Sequence, residues 1–445
     1  MRRALVLIGI LTFALTSCVS RKGLTAVNMA SSYQMSGVAL RPQISFYHTT
    51  DFTSKVFFEI ESDQLLYVRD YPISNFTAEL EVSVFLYKSF DDSEILDSTS
   101  ITVRDTQVSL RPEILSGALE IEVPDATPRE TYVVVVRFYD VKRRLYFDKV
   151  QLLHRSDPLH RQNFLLTDAD SNVVLSNHLD TSATYRIFAN SDVETLNVRY
   201  YQREFDLATP PFVDAPPLQF NYRADSAFSI PNGGTFKMHD RGFYHFQTDA
   251  STHEGYTVYH HYSSFPFITQ KRHLVGPMRF VTSNLEFVGM DLKSADSAKM
   301  VIDEFWLRHA GTQERARDQI EEYYQRVEVA NQLFSSYKQG WRTDRGVLYV
   351  VYGPPTGIYR TLDTETWVYG EEASSLNYTF VFDRMINPFT DNDYQLQRKA
   401  DYRYGWGLAI EAWRHGRIYD IEDIKRAQDE RDQQLRQTAP PYIWY

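Results

Sequence analysis

The chain is poor in cysteine: Cys18 is the only one in 445 residues. No internal disulfide is available, so a stapled fold of the kind used by small exported domains is excluded. Positive charge is also in deficit, with 47 Lys and Arg against 58 Asp and Glu and a formal charge of −11. That balance argues against nucleic acid as a partner and against adsorption to anionic lipid heads. After the N-terminus no run approaches the roughly 18 consecutive apolar residues of a membrane-spanning helix. A Gly-x-Ser-x-Gly elbow and a Walker-type phosphate loop are both missing. No metal-ligand spacing stands out. His260 and His261, adjacent in a strand candidate, would point to opposite faces, and His253 joins them only through folding. No cofactor is expected. Neighbouring carboxylates such as Asp391 and Asp393, or Glu371 and Glu372, cannot be singled out in so acidic a chain. Glycosidase carboxylates can lie far apart in sequence, so a hydrolase is not removed by the lack of a motif.

What is present begins with Met1-Arg2-Arg3 and an apolar run from Ala4 to Leu15. A basic start, a short apolar stretch and small residues before a cut site make a secretory signal, residues 1–17. Leu15-Thr16-Ser17-Cys18 resembles a bacterial lipobox, which implies cleavage before Cys18 and acylation of its thiol. Once acylated, Cys18 cannot be a nucleophile. Loss of Arg2 and Arg3 would move the formal charge from −11 to −13. The lipid would then be the membrane attachment, since each buried CH₂ contributes about 0.8 kcal/mol.

Residues 18–40 read as a lipidated tether, polar and aperiodic from Leu24 to Leu40. Residues 41–156 read as a β-sandwich. Val56, Phe58 and Ile60 alternate with polar residues, as do Ala78, Leu80, Val82, Val84 and Leu86, and Leu119, Ile121 and Val123. A period of two puts one face inward. The apolar run Tyr132 to Phe138 reads as a central strand. Strands at this spacing suggest an immunoglobulin-like sandwich without the Cys-Trp-Cys pattern of antibody domains. Residues 160–275 read as a second such sandwich, with Leu196, Val198 and Tyr200 on one face. Pro210-Pro211, Pro216-Pro217 and Asn232-Gly233-Gly234 mark its loops.

The period changes in residues 278–445, read as an α/β domain. Ile302, Phe305, Trp306 and His309 share a helix face that Gly311 ends. Thr312 is an N-cap candidate for a helix of about 26 residues striped by Ala316, Ile320, Tyr323, Val327, Ala330 and Phe334. Then comes Gly340-Trp341-Arg342-Thr343-Asp344-Arg345-Gly346, followed by Val347 to Tyr352 and Gly353-Pro354-Pro355. Gly340 can end the helix with positive φ. Thr343 and Asp344 can fold onto backbone N–H groups in a tight turn. Val347 to Tyr352 reads as a buried strand, which Gly353, Pro354 and Pro355 force to exit.

This segment, together with Tyr323-Tyr324, Arg326-Val327, Ala330-Asn331, Glu365-Thr366-Trp367-Val368-Tyr369 and Phe380-Val381-Phe382, resembles the GWxTD-domain lipoprotein family of Bacteroidota. The resemblance covers roughly Phe305 to Asp383. It implies an exported lipoprotein with β-domains ahead of this unit, and it brings no catalytic residues. Two roles stay open for the motif. Trp341 closes the core while Asp344 caps the turn or pairs with Arg345 or Arg360. Alternatively Trp341 and Arg345 are presented to a protein partner, both types being common at binding hot spots. In that phylum surface-exported lipoproteins tend to carry acidic residues after the lipid site. Val19-Ser20-Arg21-Lys22-Gly23 has none, which favours the periplasmic face of the outer membrane. Ser98, Ser226 and Ser297, each after an Asp, resemble that phylum's short O-glycosylation pattern. The charged run Asp420 to Gln437 is a helix candidate, and Tyr442-Ile443-Trp444-Tyr445 either packs back or docks elsewhere. The function expected is a non-catalytic envelope component that binds a protein partner. A glycan-binding lipoprotein is the alternative, and a hydrolase of an envelope polymer is the more distant one.

Overall fold

The alternation in the first third of the chain settles into two facing sheets. The computed structural model describes residues 23–34, 40–69, 71, 74–124, 127, 129–214, 220–239, 241–291, 293–370 and 378–419, with Arg426 and Gln433. Strands β1 (Gln43–His48), β2 (Thr53–Glu61) and β5 (Ile114–Glu122) form a three-stranded sheet in the order β1-β2-β5. Strands β3 (Phe76–Tyr87), β4 (Ile95–Gln107), β6 (Thr131–Asp140) and β7 (Leu145–His154) form a second, ordered β4-β3-β6-β7. All the pairings are antiparallel. Val56, Phe58, Ile60, Leu119 and Ile121 of one sheet pack on Leu80, Val82, Val84, Tyr132, Val134 and Phe138 of the other in a single core. The unbroken apolar run in β6 has a physical reason. Val134 and Val136 face that core, while Val133 faces the C-terminal unit, so both faces of the strand are covered.

The second block repeats the arrangement with shorter strands. Sheet β11-β10-β13-β14 is built from β10 (Thr195–Tyr201), β11 (Ser226–Pro231), β13 (Gly242–Gln247) and β14 (Tyr256–His260). The smaller sheet β12-β9-β8 uses β8 (Phe164–Asp168), β9 (Tyr185–Ala189) and β12 (Thr235–Phe236). Phe164, Leu166, Ile187, Leu196, Val198, Phe246 and Val258 form their shared core.

The C-terminal unit joins helices to a sheet made by hairpins. Helix α1 is Asn284–Asp291, α2 Ala295–Ala310, α3 Gln313–Phe334, α4 Asp344–Tyr352 and α5 Tyr402–Arg414. The sheet β15-β16-β17-β18 comprises Gly357–Arg360, Thr364–Tyr369, Tyr378–Arg384 and Tyr394–Leu396, and every pair is antiparallel. Trp306, Tyr323, Phe334, Trp341, Trp367, Phe380, Trp406 and Trp413 lie in its core. Gly311, at φ 76°, ends α2, and the Thr312 side chain accepts the Arg315 N–H to start α3, as the sequence led us to expect.

Four expectations are corrected. Val347 to Tyr352 is not a strand: it lies within α4, whose residues Arg345 to Tyr352 are all buried. A valine-rich segment hidden on every side has the same composition in either conformation, and the Thr343 cap decides for helix. Gly340 does not stop α3, which ends at Phe334 after 22 residues with Ser335 extended; Gly340 opens a short 3₁₀ turn, Gly340–Arg342. Gly353-Pro354-Pro355 therefore leaves a helix, not a sheet. Gly353 at φ 82° takes a conformation costly for other residues. Finally, the segment read as a tether is in part docked: Leu24–Ala26 and Ala30–Tyr33 form 3₁₀ turns, with Met29, Ala30 and Tyr33 buried. Cys18, Pro216, Pro217, Glu371, Glu372, the terminal Tyr442 to Tyr445 and nearly all of Asp420 to Gln437 lie outside the described residues.

Candidate functional site

The motif residues form an internal joint between α3 and α4. Gly340 lies so close to the end of α3 that a Cβ there would stand 1.9 Å from the Ala330 carbonyl oxygen. Its N–H donates to Ser335 Oγ at 2.7 Å. A Cβ on Gly346 would stand 1.9 Å from the Gly340 oxygen. Two glycines six residues apart therefore let two backbones touch. Thr343 clips the turn: its hydroxyl donates to Gly340 O at 2.8 Å and accepts the Gly346 N–H at 3.1 Å. The Asp344 carboxylate pairs with Arg398 at 2.6 Å and accepts the Leu396 N–H at 2.8 Å, which fixes α4 to β18. Its partner is neither Arg345 nor Arg360. Trp341 packs so tightly on Gly276 that a Cβ there would stand 2.8 Å from its ring; it lies edge-on to Phe280, and its indole N–H donates to Gln339. Tyr352 is packed among Tyr369, Phe380, Trp406 and Tyr419. Pro355 is buried and Pro354 exposed.

Arg345 is only 2% exposed. Its guanidinium lies over the rings of Phe334 and Tyr394, 4.9 and 4.1 Å from their centres, and donates to the Asn392 backbone. With Trp341 equally enclosed, neither side chain is presented at the surface, and that half of the sequence expectation is corrected. Arg345 also reaches Glu365, a fully buried carboxylate that is bound more closely by Arg360 at 2.7 Å, by the Trp367 indole at 2.7 Å and by the Tyr33 hydroxyl at 3.1 Å. Burial works to raise the Glu365 pKa, but Arg360 and Arg345 outweigh it and hold the group ionised. Burial pushes the Tyr33 hydroxyl up to about 12. Glu365 is thus an internal anchor to which a residue more than 300 positions away is tied.

A cleft of about 740 Å³ opens where the three blocks meet, lined among others by Lys149, His154, Arg161, Phe267, Arg384 and Asp391. Asp391 accepts from His160 Nε2 at 3.2 Å and is ion-paired with Arg161, whose Nε lies 3.3 Å away, with Arg384 at 3.9 Å. Arg384 also donates to His154 Nε2 at 3.0 Å. Burial, reinforced by His160, holds His154 down to about 3 and therefore neutral. Asp391 is kept well below the usual carboxylate range: burial opposes ionisation, but Arg161 and His160 prevail. Burial, with the nearby Arg360 charge, lowers Lys149 to about 8.

His154, His160 and Asp391 bring one ligand atom each to within 4.8 Å of one another, the donor types of a two-histidine, one-carboxylate metal site. The arrangement does not suit a cation. Arg384 already takes the His154 lone pair, and two guanidiniums flank the carboxylate. These residues form an ion-pair lock joining β7 and the linker after it to the loop between β17 and β18.

The other candidates from the sequence do not converge. His260 Nδ1 bonds the Leu179 carbonyl and His261 Nε2 the Ser336 carbonyl, while His253 stacks on Tyr222. Ser98 and Ser226 are exposed on strands, whereas the Ser297 N–H bonds the Ser294 cap of α2. Sequence reading missed Tyr33, His154, His160, Arg161 and Arg384 as site residues. Nothing in the local pattern marks them, because each finds its partner only through the fold.

A multidomain β protein that ends in a helical unit with a tryptophan-glycine joint is thereby defined. Residues 242–415 match the family model of the GWxTD domain, and the chain is a GWxTD domain-containing protein. No curated protein matches it. Among solved structures it is similar to Bacteroides uniformis beta-glucuronidase 2 covalently bound to cyclophellitol-6-carboxylate aziridine, at 15% identity and a TM-score of 0.17, over 26% of this chain and 13% of that one. A glycosyl hydrolase family 2 member from Bacteroides cellulosilyticus DSM 14838 is similar at 9% identity and a TM-score of 0.18, over 30% of this chain and 16% of that one. The chain thus spans less than a fifth of either enzyme, and at these scores the likeness carries no argument about activity.

Proposed function

We propose that this is a non-catalytic, lipid-anchored envelope protein that serves as a rigid attachment piece for a protein partner. Its anchor would be Cys18, on the periplasmic face of the outer membrane, and its two β-blocks would be immunoglobulin-like spacers. The observation that carries the reading is that the charged groups gathered by the fold are matched to each other, within the C-terminal unit and, at Asp391, across to the linker after β7. Glu365 meets Arg360 and Arg345, Asp344 meets Arg398, and Asp391 meets Arg161, Arg384 and His160. A carboxylate held ionised by two guanidiniums is a poor general acid, because such work needs a pKa near the operating pH. Joints of this kind stiffen a body whose role is to hold position. The test is purification of the lipidated protein from membranes under mild detergent. Retention of one defined envelope protein supports the reading, and recovery as a free monomer contradicts it.

Glycan binding is a second reading, favoured by one feature. Phe267 lines the cleft and is 53% exposed, with Lys149, Arg161 and Arg384 on the same lining, a geometry on which a sugar ring can stack. A glycan array with no signal would dismiss it. A hydrolase of an envelope polymer would need a second carboxylate facing Asp391 with a raised pKa.

A further inference from the structure

The part of the chain next to the anchor site is bound into the protein body, and this fixes how the body meets a membrane. Asn28 mimics a strand partner at the sheet edge: its side-chain oxygen accepts the Ile358 N–H at 3.0 Å and its amide donates to Thr356 O at 3.0 Å. The Met29 N–H donates to Ile358 O at 2.8 Å. Ser32 Oγ donates to Asp148 O in β7 at 3.1 Å, and Tyr349 OH in α4 donates to Tyr33 O at 2.9 Å. The Tyr33 ring is enclosed between Phe334 and Trp367, with its hydroxyl on Glu365. Closer to the N-terminus, the Thr25 N–H donates to Phe90 O at 3.1 Å, and Gly23 sits against the Asp91 backbone with no room for a Cβ. From Gly23 to Tyr33 the chain is tied to the C-terminal sheet, to β7 and to the turn between β3 and β4.

We infer that the anchor holds the seam between the first β-block and the GWxTD domain against the lipid surface, with the turn after β3 as its membrane-facing rim. This rests on the reading of Cys18 as the lipidated residue. Only five residue steps separate Cys18 from Gly23, and fully extended they span at most about 18 Å. A free tether running from Cys18 to Leu40 would instead reach up to about 75 Å and leave the body unoriented. The rim carries Asp91, Asp92 and Glu94 against Lys88, so it repels anionic headgroups and suits a zwitterionic surface. Short covalent reach, not charge attraction, keeps it there.

The test uses the full lipidated chain in phosphatidylcholine vesicles that carry an energy acceptor on their headgroups. A donor is attached at Ser93→Cys on the rim; with Cys18 acylated, that thiol is the one free for labelling. The comparison protein has 20 Gly/Ser residues inserted between Lys22 and Gly23, which leaves every docked residue in place. Transfer in the native-length protein should exceed that in the extended protein at least twofold. Equal transfer from two proteins that both float with the vesicles would overturn this inference alone. An intact mass without acyl chains, and no flotation, would overturn the anchor reading and this inference with it.

Discussion

Acid should unfold this protein through its buried histidines, and His48 gives the clearest case. His48 is 3% exposed. Its Nε2 bonds the His154 carbonyl at 2.9 Å, so Nε2 carries the proton, and its Nδ1 faces Ser54 Oγ at 2.9 Å and Arg155 Nη1 at 3.2 Å. A second proton would be added to a buried ring beside a guanidinium. Burial, with the Arg155 charge adding to it, holds the group down to about 4. In the unfolded chain its pKa is about 6.5. Between those values the unfolded state binds more protons, so this contribution is fully present above pH 6.5 and is lost as the pH falls toward 4. At pH 5.5 the loss is about 1.4 kcal/mol for one such histidine. His245, 1% exposed and held down to about 3 by burial, adds a similar amount. The assay is urea unfolding of native protein and His48→Gln at pH 7.5 and 5.5, read from the transition midpoint and slope. The variant should be the less stable of the two at pH 7.5, yet should lose about 1.3 kcal/mol less on acidification. An identical loss in both proteins would refute the assignment of His48 as a neutral, buried group.

Further outcomes follow from the joint and the lock. Gly346→Ala should cost about 3 kcal/mol or prevent folding, since its Cβ would meet the Gly340 oxygen at 1.9 Å; soluble yield and urea midpoint check this. Thr343→Ala should cost about 1 kcal/mol by removing the cap of α4, again read by urea unfolding. Native protein should give no calorimetric signal with zinc. The double variant Arg161→Ala with Arg384→Ala should bind it, because His154, His160 and Asp391 are then relieved of both flanking charges.

How much of this was legible in the residues differs from element to element. The alternating strands were, because Leu80, Val82 and Val84 announce a sheet face with a period that no other local structure shares. Helix α3 was too, since its stripe and the Thr312 cap are both local. Helix α4 was not: buried all round, Val347 to Tyr352 has no polar face to reveal its period. The docking of Tyr33 on Glu365 was illegible for a different reason. Its partners lie in elements far apart along the chain, and nothing near Tyr33 distinguishes an anchored loop from a free one. In the sequence Glu365 stands out only as part of the family resemblance, and Arg360 only as a possible partner for Asp344. Their pairing with each other emerged from the β15–β16 hairpin, which sets Arg360 opposite Glu365.

The Gly-Trp-x-Thr-Asp segment is above all an internal joint between α3 and α4. The most direct measurement is the unfolding free energy of Asp344→Ala. Its carboxylate and the Arg398 guanidinium are both enclosed, at 9% and 7% exposure, so removing one partner leaves a buried charge and an unpaired Leu396 N–H. A loss of about 3–5 kcal/mol is predicted. A variant within about 0.5 kcal/mol of the native protein, the range of ordinary surface changes, would contradict it.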